Sequence, residues 1–87
     1  MTRPEGTAAR LLTMLYAVGP LSVARACDGL AERGCVASPD AVRRAFTDLV
    51  SFGAVELFGA GKEHRWGITE AGREMAREIA RRALGGT

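Results

Sequence analysis

Apolar residues along this chain follow a helical period in four stretches and a strand period in two. Ala8, Leu11, Leu12, Leu15 and Val18 fall on one side of a helix over residues 7–18, with Thr7 as its cap. Met14 and Tyr16 widen that face beyond a single stripe, the pattern of a helix packed on two sides. Gly19-Pro20 ends it. A second helix over 22–32 is capped by Ser22 and turns Val23, Ala26, Cys27 and Leu30 inward, with Gly34 closing it. Ser38-Pro39-Asp40 is the clearest local signal. Serine caps, proline takes the first helical position and aspartate complements the positive end of the dipole. Val42, Ala45, Phe46, Leu49 and Val50 then repeat at helical spacing as far as Ser51, before Phe52-Gly53.

Ala54 to Phe58 and Glu63 to Ile68 alternate around Gly59-Ala60-Gly61-Lys62, which predicts a hairpin. Val55 and Leu57 share one face of the first strand, Trp66 and Ile68 one face of the second. Thr69 caps a last helix over 70–84 whose apolar side holds Met75, Ala76, Ile79, Ala80, Ala83 and Leu84. Its wet side carries acid-first pairs: Glu70–Arg73, Glu74–Arg77, Glu78–Arg81 and Glu78–Arg82. The order is α-α-α-β-β-α: a mainly α fold with a small β-hairpin, one domain over 1–87 with an ordered core at about 7–84.

Eighty-seven residues hold one core with little margin, so a second copy would add stability. No apolar run is long enough to span a membrane, and Met1 to Gly6 lacks the features of a secretory signal. The expected compartment is therefore the cytoplasm. Cys27 and Cys35 match no metal-knuckle spacing, and His64 is the lone histidine, so no metal and no cofactor are expected. Cytosolic thiols stay reduced, which favours a packing role for both cysteines over a redox pair. No nucleophile–base arrangement and no phosphate-cradling glycine motif is present, so the chain does not read as an enzyme.

Two segments carry a family resemblance. Residues 38–55, from Ser38-Pro39-Asp40 to Gly53-Ala54-Val55, are similar to a recognition helix running into a wing strand. Arg65-Trp66-Gly67-Ile68-Thr69-Glu70-Ala71-Gly72-Arg73 resembles the passage aromatic-x-Leu-Thr-x-x-Gly from the second wing strand into the final helix. Together they resemble the winged helix-turn-helix regulators of bacteria and phage (the MarR, ArsR and PadR families) from about Thr7 to Leu84.

The resemblance implies a double-stranded DNA-binding transcriptional regulator. A recognition helix at about 39–52 would enter the major groove, and a wing at about 54–68 would lie on the backbone. Arg43 and Arg44 suit guanine edges or phosphates, Thr47 a base methyl or phosphate, and Ser38 a phosphate. Lys62, His64 and Arg65 on the wing suit the backbone or minor groove, with Arg25 as a further contact. Relatives of this kind are homodimers, which points to Leu11 and Met14 on the first helix and Met75, Ile79 and Leu84 on the last as the dimer surface.

Charge tempers that picture. The whole chain is +2 at neutral pH. Residues 1–67 hold eight basic side chains against seven acidic ones, which leaves +1. Phosphate contacts supply most non-specific affinity, so a monomer would bind weakly and a two-fold dimer better. The competing reading is a winged-helix protein-interaction module, such as a small phage-encoded, anti-CRISPR-like inhibitor of a host system.

Overall fold

The computed structural model describes residues 6–59 and 64–85; the side chains of Leu84 and Gly85 are not described. The order is α1 (Thr7–Val18), α2 (Val23–Glu32), α3 (Pro39–Ser51), β1 (Val55–Phe58), β2 (Arg65–Ile68) and α4 (Glu70–Gly85), as the periodicity predicts. The wing tip over 60–63, with Lys62 and Glu63, lies outside the described residues.

Helix starts follow the capping chemistry with one exception. The Ser22 hydroxyl oxygen accepts from the Arg25 amide at 3.2 Å, and that of Ser38 from the Ala41 amide at 3.1 Å. At α1 the cap is Gly6 and no side chain bonds there, so Thr7 is the first helical residue rather than its cap. The ends of α2 and α3 share one closure. In α3, the Gly53 amide bonds the Val50 carbonyl and the Ala54 amide bonds Leu49, with Gly53 at φ 72°. Gly34 at φ 77° and Cys35 do the same for Ala31 and Leu30. Glycine takes this left-handed position without steric penalty.

Leu11, Leu12, Leu15, Ala26, Leu30, Val42, Phe46 and Leu49 bury their side chains where α1, α2 and α3 meet. Cys27 and Cys35, both free thiols, pack against this core. Two apolar residues assigned inward by periodicity stay largely outside: Val18 is 61% exposed at the last turn of α1, and Val50 is 44% exposed. Val50 follows Arg43 by seven residues and shares its edge of α3, beside the buried arc rather than in it.

The hairpin pairs Val55 with Ile68, Glu56 with Gly67, Leu57 with Trp66 and Phe58 with Arg65. A third short partner joins it. The Leu21 amide donates to the Trp66 carbonyl at 3.0 Å and the Trp66 amide to the Leu21 carbonyl at 2.7 Å, so the chain before α2 pairs with β2. On the opposite face the Phe58 ring lies over Gly67, which explains why a glycine stands mid-strand there. Thr69 then knots three elements. Its hydroxyl donates to the Gly53 carbonyl at 2.6 Å and accepts from the Gly72 amide at 3.0 Å, while its own amide donates to the Ala54 carbonyl at 2.9 Å. Gly72 sits hard against the Ala54 backbone, leaving no room for a Cβ. The Thr-x-x-Gly spacing is thus a packing requirement: a cap, and a close approach one turn later.

Candidate nucleic-acid interface

The outward face of α3 is the stripe Asp40, Arg44, Thr47 and Ser51, at helical spacings of four, seven and eleven residues, with Arg43 along one edge. It lies opposite Val42, Ala45, Phe46 and Leu49, whose burial fixes which way the stripe points. Arg43 and Asp40 form an ion pair at 3.0 Å, their side chains 62% and 87% exposed. An ion pair this exposed contributes well under about 1 kcal/mol to stability. The Thr47 hydroxyl donates to the Arg43 carbonyl and the Ser51 hydroxyl to the Asp48 carbonyl, so both point their hydrogens back into the helix. Arg44 is exposed and takes part in no ion pair among the described residues. The Ser38 oxygen is engaged by its cap bond and retains its own hydrogen for a ligand.

A second group of basic residues lines a cleft of about 480 Å³. Arg25 enters from the first turn of α2, and His64 and Arg65 from the start of β2, with Val18, Pro20, Leu21 and Ser22 completing the walls. The Leu21–Trp66 pairing is what brings α2 beside β2 and closes this cleft. The hairpin is in turn fixed to α3 by a flat stack of Trp66 on Phe46, centroids 5.0 Å apart and ring planes at 9°. The structure therefore gathers Ser38, Arg43, Arg44 and Thr47 on one helix, and Arg25, His64 and Arg65 around one cleft. Lys62 is outside the described residues. Sequence reasoning missed the part of Pro20, Leu21 and Ser22 in the cleft walls: Gly19-Pro20 signals only that a helix stops, and a single bridging residue leaves no alternation to read.

The residues assigned to a dimer surface divide. Leu11 is fully buried and Met14 is 3% exposed. Leu11 belongs to the core of its own domain and offers nothing to a partner. Met14 lies against Gly29 of α2 and reaches the surface only at the floor of a shallow apolar depression of about 250 Å³. Ala9, Arg10, Thr13, Ala17, Arg33 and Ile79 line the rest of it. Met75 and Ile79 are partly buried on α4. Along α4, Glu78 bonds both Arg81 at 3.2 Å and Arg82 at 3.3 Å. Glu70–Arg73 and Glu74–Arg77 are not among the ion pairs of the described residues, so two of the four expected pairs form. No helix of the described residues is long and apolar enough to cross a membrane, and no cluster of metal-ligating side chains occurs among them.

Three helices, a hairpin fixed on the third, and a closing helix define a winged helix-turn-helix domain. No family model matches the chain, and no curated protein sequence is significantly similar to it. Solved structures are. A mutant of ZitR from Lactococcus lactis superposes with a TM-score of 0.78 at 22% identity, covering 98% of this chain and 56% of that one. hsRosR in a complex gives 0.82 at 19% identity, covering 94% and 74%. MepR, a transcription regulator of the Staphylococcus aureus multidrug efflux pump MepA, gives 0.68 at 13% identity, covering 94% and 64%. The chain thus spans little more than half the length of ZitR. At these identities the likeness is one of fold, and it extends over nearly the whole chain.

Proposed function

We propose that this domain is a sequence-specific double-stranded DNA-binding transcription regulator, with residues 39–52 in the major groove and the hairpin over 54–68 along the backbone. The observation that carries this reading is the outward stripe of α3. Its opposite side is locked in the core, and its exposed side offers the guanidinium of Arg44, in no ion pair among the described residues, and that of Arg43. MepR, which shares the fold, is a transcription regulator, and this supports the assignment. Ser38, Arg25, His64 and Arg65, with Lys62 at the wing tip, are assigned to phosphate and sugar contacts that set register, Thr47 to a base methyl or a phosphate, and Arg43 and Arg44 to base reading.

The balance of +1 over residues 1–67 makes a lone domain a weak binder, so the functional unit is a homodimer. The second copy is placed on the depression around Met14 and Ile79 and on the exposed margin of Met75, continuing towards Leu84.

The test is fluorescence anisotropy on mixed duplex fragments at about 50 and about 200 mM salt, wild type beside Arg43→Ala/Arg44→Ala. Binding should weaken steeply with salt, and the double variant should lose affinity about tenfold or more and discriminate less between duplex sequences. A folded wild type that binds no duplex at low salt overturns the proposal. One observation favours the second reading, a protein-interaction module. Val36 is 92% exposed, and Leu57 and Phe58 are each 46% exposed, apolar surface that a duplex backbone does not need.

A further inference from the structure

Asp40 is an unusual residue to meet on a face proposed for DNA. A carboxylate among phosphates is repelled unless a base gives it a hydrogen. Asp40 stands in the first turn of α3, where recognition helices approach base edges, and its side chain is 87% exposed. One carboxylate oxygen, Oδ1, holds the Arg43 guanidinium at 3.0 Å; the other is uncommitted among the described residues. Thr47 and Ser51 on the same stripe have turned their hydroxyl hydrogens into the helix, and an arginine carries no acceptor. Asp40 is therefore the strong acceptor of the stripe, and it is fixed beside a donor fork.

We propose that Asp40 is a specificity-determining residue that reads the cytosine of a C·G base pair. This rests on the DNA-binding reading above. In the major groove, cytosine presents an N4 amino donor beside the O6 and N7 acceptors of its paired guanine. The Asp40–Arg43 pair presents the complementary order, acceptor then donors. The free carboxylate oxygen takes the N4 hydrogen, and the guanidinium hydrogens not held by Asp40 go to guanine. At any other base pair this match fails: G·C presents the donor and the acceptors in the reverse order, and A·T and T·A lack the two guanine acceptors. Asp40 thus lowers affinity for generic duplex and restricts tight binding to sites with the right pair.

The experiment is enrichment of bound sequences from a randomised duplex pool by wild type, Asp40→Ala and Asp40→Asn, followed by affinities for the enriched site and its single-pair variants. Helix content from circular dichroism verifies that each variant is folded. Wild type should select a C·G pair at one position of each half-site, and changing that pair to A·T should weaken binding about tenfold or more. Asp40→Ala keeps the Arg43–guanine contact, so it should still favour C·G but several-fold less strongly than wild type, keep its other preferences and hold generic duplex more tightly. Asp40→Asn should move the preference at that position to adenine, which asparagine pairs in a bidentate fashion. Enriched sites with the same preference in all three proteins overturn the inference and leave the regulator reading standing. Absence of any duplex binding by wild type removes that reading itself.

Discussion

Thr69 gives the sharpest test of how the wing is secured. Replacing it by valine keeps the volume and removes one hydroxyl. That hydroxyl accepts from the Gly72 amide at 3.0 Å as the cap of α4, and donates to the Gly53 carbonyl at 2.6 Å. Loss of a cap costs about 1 kcal/mol. The Gly53 carbonyl is solvent-exposed, so water replaces its lost partner and the second bond adds only about 0.5 kcal/mol. The sum is about 1.5 kcal/mol, which for a domain of this size lowers Tm by roughly 6–12 °C. In urea the midpoint should fall by about 1 M, with an unchanged slope. Thr69→Ser keeps the hydroxyl and should remain within about 0.5 kcal/mol of wild type. The assay is thermal and urea unfolding of the three proteins by circular dichroism. A valine variant indistinguishable from wild type would refute the reasoning, as would a serine variant that suffers as much as valine.

Two further substitutions probe the same architecture. Gly72→Ala drives a Cβ into the Ala54 backbone, which cannot step aside as a flexible side chain can, and should cost roughly 2–3 kcal/mol in urea unfolding. Phe46→Ala removes a fully buried ring together with its stack on Trp66; a loss of about 4 kcal/mol should leave little folded protein at 37 °C by near-ultraviolet circular dichroism.

The helix order, the three serine and threonine caps at Ser22, Ser38 and Thr69, and the hairpin were legible in the sequence because each depends on contacts a few residues apart. Periodicity says which residues share a face, and the caps say where a face begins. What it cannot say is how wide the buried arc is. Val50 and Val18 lie at the edges of their arcs, where a change of one position separates core from solvent. Leu11 and Met14 show the same limit in reverse. An apolar surface wider than one stripe looked like material for a partner, but α2, α3 and α4 together cover α1 on more sides than one stripe needs. The Leu21–Trp66 bridge was invisible for a different reason. It consists of one residue on the α2 side, joined to a strand more than forty positions later, and no local pattern records it. The outward stripe of α3 could be read from spacing alone, whereas the cleft that gathers Arg25 with His64 and Arg65 depends on that distant bridge.

Trp66 is the lone tryptophan of the chain, and it lies flat on a phenylalanine ring of α3 while its backbone pairs with Leu57 of β1 and, through an isolated bridge, with Leu21 before α2. The molecule thus carries its own optical gauge. Indole emission depends on what touches the ring, so any change in the angle between hairpin and helix would alter intensity and wavelength together. Titrating an unlabelled ligand and following that one emission band separates two kinds of event. A ligand that settles on a rigid surface leaves the colour unchanged. One that pries the hairpin away shifts it to the red, before any attached dye or engineered probe is needed.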